Sequence, residues 1–495
     1  MEKHQLSKST FIRGKQCLKS LYLHKKRPYL RDRISAEQLA KFKRGTNIGI
    51  LAQDLFPGGI NLKPKAPSQY QKCVAETKII INNNENDIIY EAGFQYNGVL
   101  ILLDLLVKKD GKWHAYEVKS SLSLSETYFF DAALQYYIIQ NSEEIDLESF
   151  NLIYVDPEYE MTEKLDLHKF FKTQDVTQQL LPIQKDISKL IYQEKKVLSA
   201  KQSPQIDIGP QCNHPYPCDF QGLCWKNIKT NSIFELIGIK ETEAFNFYSK
   251  GKIYISDLKL EDLNTIKSTN ALQSFLIKKE IIDNQKLQKY LNNITNEYYF
   301  ITIESFNQAI PKFEKSKAYD PFFFILQITP SSSSEYPLPY IFSKDEDSRQ
   351  QIRNIFHETF LQNNNSIVCY DKDVIINCLN QIKTIDQSQS NNNIIENIEK
   401  RLIDFRSIFE NNLFYHYSFK KNLDIFSTSK VLAKARKYKK PDLRSPILLY
   451  NEYVKWHETE NVTEKENFFQ TLVNYSNWKT HALRQFLTSL NNYCK

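Results

Sequence analysis

No apolar run in this 495-residue chain approaches the roughly 20 residues needed to cross a bilayer, which argues against a helical membrane span, and no membrane partner is expected. The opening "MEKHQLSKSTFIRGKQC" lacks the apolar core of a secretory signal, so a soluble, cytoplasmic protein is expected. No repeat period is visible, which argues against solenoids and propellers. The eight cysteines include no C-x-x-C pair, the spacing of most zinc knuckles. What remains is ordinary globular composition, 41% apolar and 25% charged, with length enough for two to four domains.

The net charge of +7 is unevenly placed. Residues 8–44 hold twelve Lys/Arg against two acids, which leaves the rest of the chain slightly acidic. Phe11, Tyr22, Tyr29 and Phe42 are interleaved with these charges. That pattern suits a nucleic-acid backbone, and equally a solvated basic helix face.

The stretch "VLILLDLLVKKDGKWHAYEVK", residues 99–119, reads as a hairpin turning at Asp110-Gly111, because a type I′ turn needs positive φ at both central positions. Asp104 and Glu117 then stand opposite each other, with Lys119 on the same face. Two opposed carboxylates repel. A divalent cation between them turns repulsion into coordination, and the lysine adds positive charge or a tuned proton beside it. A solvated surface hairpin would explain the charges too, but the run of Leu, Ile and Val around Asp104 suggests a strand covered on both faces.

Helices are expected over much of residues 1–60, with "SAEQ" at 35–38 as a capping box and "PGG" at 57–59 as a stop. Strands follow near 87–95, 99–107 and 113–119, then a helix at 125–140, a strand at 149–156 and a helix over 175–198. This order describes an α/β domain with a mixed sheet. Two short helices are expected at 233–258 and a new strand-rich region from 297. The polar tracts at 331–335 and 385–394 read as surface loops. Cys212, Cys218 and Cys224 are evenly spaced in "GPQCNHPYPCDFQGLCW", and Cys17 lies far upstream. In a cytosolic chain such clustering points to a metal, with tetrahedral zinc and a 4Fe-4S cluster about equally compatible and His214 allowing a mixed zinc site. Cys73, Cys369, Cys378 and Cys494 are ordinary thiols.

Asp104 followed by Glu117-Val118-Lys119 is similar to the PD-(D/E)xK nuclease signature. A cysteine before that core and a cysteine triplet after it resemble RecB-type exonucleases with a 4Fe-4S cluster, such as the CRISPR-associated exonucleases and the nuclease domain of AddB-type proteins. "LSKSTFIRGKQCLKSLYL", "YEVKSS" and "HPYPCDFQGLCW" resemble a bacterial family of two-part proteins, in which such a nuclease precedes an RNase H-like (DEDD-type) exonuclease fold. The resemblance implies a restriction-endonuclease-like mixed sheet flanked by helices in residues 1–229. It implies a helix-hairpin-helix-like linker at 230–292 and an RNase H-like α/β domain at 293–495. By that resemblance, Asp104 and Glu117 would bind Mg or Mn with help from the Val118 carbonyl. Lys119 would orient or activate water, and Gln135 would contact the site or the DNA. Cys17, Cys212, Cys218 and Cys224 would hold the cluster, which tips the choice from zinc towards iron–sulfur.

The chain departs from these patterns in several places. "RGTNIGILAQ" at 44–53 has no histidine ligand, and Ile139 replaces the tyrosine expected four residues after Gln135. In the second half, the opening D-x-E reads Thr302-Ile303-Glu304, and Lys479 stands where a last Asp belongs. Asp371 and Asp404 are the middle acids. With two of four ligands replaced, residues 293–495 are expected to be inactive. The reading is a metal-dependent DNA nuclease acting on single strands or ends in repair, recombination or defence, with room for a helicase or recombination partner. The alternative is an inactive nucleic-acid-binding or scaffold protein.

Overall fold

The computed structural model describes residues 4–433, 443 and 445–494. The chain divides into two compact units, residues 1–227 with 309–318, and residues 228–308 with 319–495. Both are mixed α/β, and no described helix is long and apolar enough to cross a membrane.

The first unit runs β1 (Leu6–Ser7), α1 (Lys8–Gln16), α2 (Leu18–Lys26), α3 (Ala36–Gln53), β2 (Ile60–Asn61) and α4 (Tyr70–Asn83). Then come β3 (Ile88–Tyr96), β4 (Val99–Lys109), β5 (Lys112–Lys119), α5 (Glu126–Ser142) and β6 (Leu147–Val155). It closes with α6 (Leu167–Phe170), β7 (Phe171–Asp175), α7 (Thr177–Leu180), α8 (Gln184–Ser199) and α9 (Gln221–Cys224). The sheet order is β2-β3-β4-β5-β6-β7, with β1 paired to β4. β3, β4 and β5 form an antiparallel meander, and α5 carries the chain across to β6, which runs parallel to β5. Both meander turns have the chemistry that the geometry demands. Asn97-Gly98 and Asp110-Gly111 each place two residues at positive φ, as a type I′ turn requires. The apolar face of β4 joins Phe11, Ala132, Ile138, Leu152, Ile187 and Ile191 in one buried cluster.

β1 is short, yet it positions α1. Leu6 and Ser7 pair in parallel with Val99 and Leu100. There β4 has a free edge, since its pairing with β5 covers only Leu105–Lys109. α1 therefore starts beside the open end of the β4–β5 hairpin. Ser35 caps α3 as expected, its side chain accepting from the Gln38 N–H.

The second unit runs α10 (Glu241–Ser249), α11 (Ile266–Ile277), β8 (Ile281–Ile282), α12 (Asn284–Leu291), β9 (Tyr298–Asn307), β10 (Pro321–Pro330), β11 (Tyr340–Ile341) and α13 (Ser348–Phe360). It continues with β12 (Ser366–Cys369), α14 (Lys372–Ile385), α15 (Gln389–Arg401), β13 (Leu402–Asp404), α16 (Phe405–Glu410), β14 (Phe414–Tyr415), α17 (Ile425–Leu432), α18 (Pro446–Glu458) and α19 (Val462–Tyr493). Its sheet order is β11-β10-β9-β12-β13, and β8 pairs separately with β14. β9, β10 and β11 are antiparallel, whereas β12 runs parallel to both β9 and β13. Residues 230–292 group with this unit.

Three expectations fail locally. Of the two short helices expected at 233–258 only α10 forms, flanked by single 3-10 turns at Ile233–Glu235 and Ile255–Asp257. The helix expected over 175–198 is a strand end, a short helix and then α8, broken around Pro182, which has no N–H to donate to a helix. The tract at 385–394, expected as a loop, leads into α15. Ser388 caps that helix, and Asn391, Ile394, Ile395 and Ile398 form its buried face. The polar residues hid a helical period carried by only a few apolar ones.

One buried acid has a measurable consequence. Glu194 of α8 is fully buried, and neither carboxylate oxygen has a hydrogen-bond partner among the described residues. It fits because Gly14 of α1 has no side chain, since a Cβ there would lie 2.3 Å from the Glu194 carboxyl. Burial pushes this carboxyl up to about 9. In the unfolded chain it ionises near 4.3, so the unfolded state loses its proton first and stability falls as pH rises between these values. Urea unfolding of wild type and Glu194→Gln at pH 5, 7 and 8.5 should therefore diverge. The variant should gain on the wild type by on the order of 1–3 kcal/mol at the highest pH.

Candidate functional site

The β4–β5 ladder ends at Leu105 and Tyr116. One residue further the strands part, and β5 stays with β6 through Glu117 and Lys119. Asp104 stands at the fork, half-buried, and its Oδ2 accepts from the Val118 N–H at 2.7 Å. Glu117 is only 2% exposed. Its Oε1 accepts from Lys119 Nζ at 2.8 Å and from Lys8 Nζ at 2.7 Å. Lys119 Nζ also donates to Asp131 Oδ2 and lies 5.2 Å from the centre of the Tyr128 ring. Asp131 and Gln135 lie one turn apart on α5, and Gln135 is fully buried.

Burial and the neighbouring Glu117 push the Asp104 carboxyl up to about 7, against the pull of Lys8, the Val118 N–H and Lys119. Burial would raise Glu117 too, but Lys119 and Lys8 outweigh it and hold that carboxyl well below its usual range. For the two lysines, burial favours the neutral amine. Their acidic neighbours outweigh it, and both ammonium groups are held charged. Three acids thus share two cations in a poorly hydrated place.

Asp104, Glu117, Lys119 and Gln135, all expected from the sequence, belong to these neighbouring elements. Val118 contributes its N–H to Asp104. Lys8 and Asp131 were not anticipated. Asp131 had a signal, an acid inside "SETYFFDAALQYYIIQ" four residues before Gln135. Lys8 had none, because only the pairing of β1 with β4 brings it here.

Two oxygens at this place remain unsatisfied among the described residues, Glu117 Oε2 and Asp131 Oδ1, and on α5 both polar atoms of the buried Gln135 amide are unsatisfied as well. Buried polar groups are seldom left so. No three His, Cys, Asp or Glu side chains among the described residues surround a single-ion position, since Lys8 and Lys119 stand against the acids instead. Asp104 and Glu117, two carboxylates at a strand fork, are the side chains that could hold a divalent cation there.

Cys17, Cys212, Cys218 and Cys224 line one cavity, together with Lys19, Ser20 and Phe220. Cys17 sits in extended backbone between α1 and α2. The Cys218 N–H donates to the Cys212 carbonyl at 2.8 Å, and Cys224 ends α9. Burial pushes the thiols of Cys17 and Cys224 up, with a further push from the cysteines beside them. The segment is tied to the start of the chain. Arg13 and Arg31 both reach Asp219, at 2.7 and 2.6 Å, and Gln16 Nε2 donates to the carbonyls of Gln211 and Tyr216, each at 2.7 Å. The four thiols share one cavity, yet among the described residues no three of them close around a single-ion position.

Of the four aromatics interleaved with the basic residues, Phe11 and Tyr22 are buried core. Tyr29 and Phe42 are exposed, near exposed Lys26, Arg27, Lys41 and Lys43 in the sequence.

In the second unit a cavity of about 390 Å³ is lined by Thr302, Glu304, Asp371, Asp424, Arg406 and Lys479, among others. Glu304 Oε1 accepts from Lys479 Nζ at 2.5 Å, and Asp371 Oδ2 from Arg406 Nη1 at 2.5 Å. Asp404 accepts from the Asp371 N–H at 2.8 Å and caps α16. Each acid of the expected second set is thus held by a basic side chain or by main-chain N–H groups.

Residues 299–422 match the family model described as a domain of unknown function, DUF2779. Among solved structures the chain is similar to one titled "Crystal structure of SSO0001", at 11% identity and a TM-score of 0.22, covering 46% of this chain and 89% of that one. No curated protein matches.

The shared lysine gives a stability test. Removing one partner of a buried ion pair leaves a charge uncompensated. Lys119→Met should therefore lower unfolding stability by about 3–5 kcal/mol. Adding Glu117→Gln to that variant should recover part of the loss in the same denaturant titration.

Proposed function

We propose that the first unit is a divalent-metal-dependent nuclease that hydrolyses DNA phosphodiesters. Its sheet would be of the restriction-endonuclease-like type, and its four-cysteine cavity would hold a 4Fe-4S cluster. The observation that carries this reading is the meeting of Asp104, Glu117 and Lys119 at the β4–β5 fork, with unsatisfied buried oxygens beside them. Asp104 and Glu117 would hold Mg or Mn, with the main chain of Val118 alongside. The bound ion would polarise the phosphate and acidify its water. Lys119 is fixed between Glu117 and Asp131, so it would orient the attacking water and hold positive charge where the phosphorane develops. Gln135 would turn its amide to the site or to the DNA. The exposed basic and aromatic residues of 26–43 support contact with a nucleic-acid backbone.

The second unit is read as an RNase H-like domain without activity. Its strand order, with three antiparallel strands followed by two parallel ones, supports that fold. Lys479 and Arg406 bound to its acids support the loss of metal chemistry, because a fixed cation repels another. Work in repair, recombination or defence, in the cytoplasm and beside a helicase or recombination partner, belongs to the same proposal.

End-labelled single- and double-stranded DNA should be cut by the wild type with Mn or Mg. Glu117→Ala should reduce cutting by at least about 100-fold, the rate equivalent of a few kcal/mol. DNA binding without cutting would support the scaffold reading instead, and cutting that survives in Glu117→Ala would move the activity to the second unit. For the cluster, protein purified anaerobically should be brown, with iron and acid-labile sulfide in equal amounts. Cys224→Ser should lose the colour and melt earlier. A colourless, zinc-loaded protein would replace iron–sulfur by zinc.

A further inference from the structure

We infer that Lys8 is a built-in competitor of the divalent ion, a tethered ammonium that occupies the Glu117 carboxylate until a metal displaces it. The inference rests on the proposed metal site. The two lysines on Glu117 are not equivalent. Lys119 is 13% exposed and is held on two sides, by Glu117 and Asp131, with the Tyr128 ring near it. The Lys8 side chain is 29% exposed, and its one side-chain hydrogen bond among the described residues is the 2.7 Å contact to Glu117 Oε1. One of the two can leave without breaking up the remaining network.

The placement of Lys8 also favours its departure. It is the first residue of α1, where the helix dipole is positive, and the first turn has no acidic residue. An ammonium is unfavourable there unless something outside the helix compensates it, and Glu117 does so. Its backbone is fixed from both sides. Leu6 and Ser7 are paired to β4, and Ser7 and Thr10 close the first turn through hydrogen bonds of 2.7 and 3.1 Å. Only the flexible side chain moves. A dication reaching Asp104 and Glu117 would repel Lys8 Nζ and remove its anchor, and the side chain would swing towards solvent, where a phosphate of the substrate would meet it. Lys8 would thereby keep the acids neutralised at low metal concentration and set the concentration at which the site loads.

The test is Mn binding to the full-length protein, followed by calorimetry and by the electron-spin resonance of free Mn. Wild type, Lys8→Met and Lys8→Gln are compared, the last keeping a donor to Glu117 without the charge. Both variants should bind Mn about tenfold more tightly than the wild type, the effect of removing one neighbouring like charge. Without metal both should melt earlier than the wild type, and saturating Mn should raise their Tm by more. Equal or weaker Mn binding by both variants would overturn the inference and leave the metal site standing. No Mn binding by any of the three proteins would overturn both.

Discussion

Two ammonium groups bonded to Glu117 and Asp131, with Asp104 beside them, are the constraint on which the first unit turns. Asp104, Glu117 and Asp131 come from two strands and a helix, and like charges so close repel unless cations stand among them. Lys119 joins the strand acid to the helix acid. Lys8 joins the start of the chain to the same carboxylate. Holding charge away from water costs stability, and such clusters occur both at functional sites and in structural ion-pair networks.

The rest of the unit fixes that fork. The meander turns at Asn97-Gly98 and Asp110-Gly111 set the register of β4 against both neighbours. α5 crosses from β5 to β6 and brings Asp131 to Lys119. β1 uses the edge of β4 that β5 leaves free. The contacts of Arg13, Arg31 and Gln16 with residues 211–219 then close the end of the unit onto its beginning, around the four thiols. A metal or cluster in that cavity would add a cross-link where the chain already relies on side-chain hydrogen bonds.

Local chemistry was legible in the sequence. The turn residues, the apolar run of β4 and the capping serine of α3 each act through neighbours a few positions away, and so Asp104, Glu117 and Lys119 could be named together. What depends on distant pairing could not. Lys8 reaches Glu117 through a two-residue strand paired some 90 positions along the chain, and nothing local announces it. Phe11 and Tyr22 looked like partners for nucleic acid and are core, because the helix faces they occupy turn inward. α15 was obscured by polar residues whose buried face shows only at helical spacing. In the second unit Thr302 and Lys479 could be read as standing where the resemblance expects acids, whereas the pairing of Arg406 with Asp371 required the fold.

The central claim is that the fork binds a divalent cation between its two strand acids. Anomalous diffraction from crystals soaked in Mn tests it directly. The account predicts a peak bonded to Asp104 and Glu117 at about 2.0–2.3 Å, with Lys8 Nζ drawn away from Glu117. A map with no peak at the fork, and Lys8 still on Glu117 at saturating Mn, would contradict it.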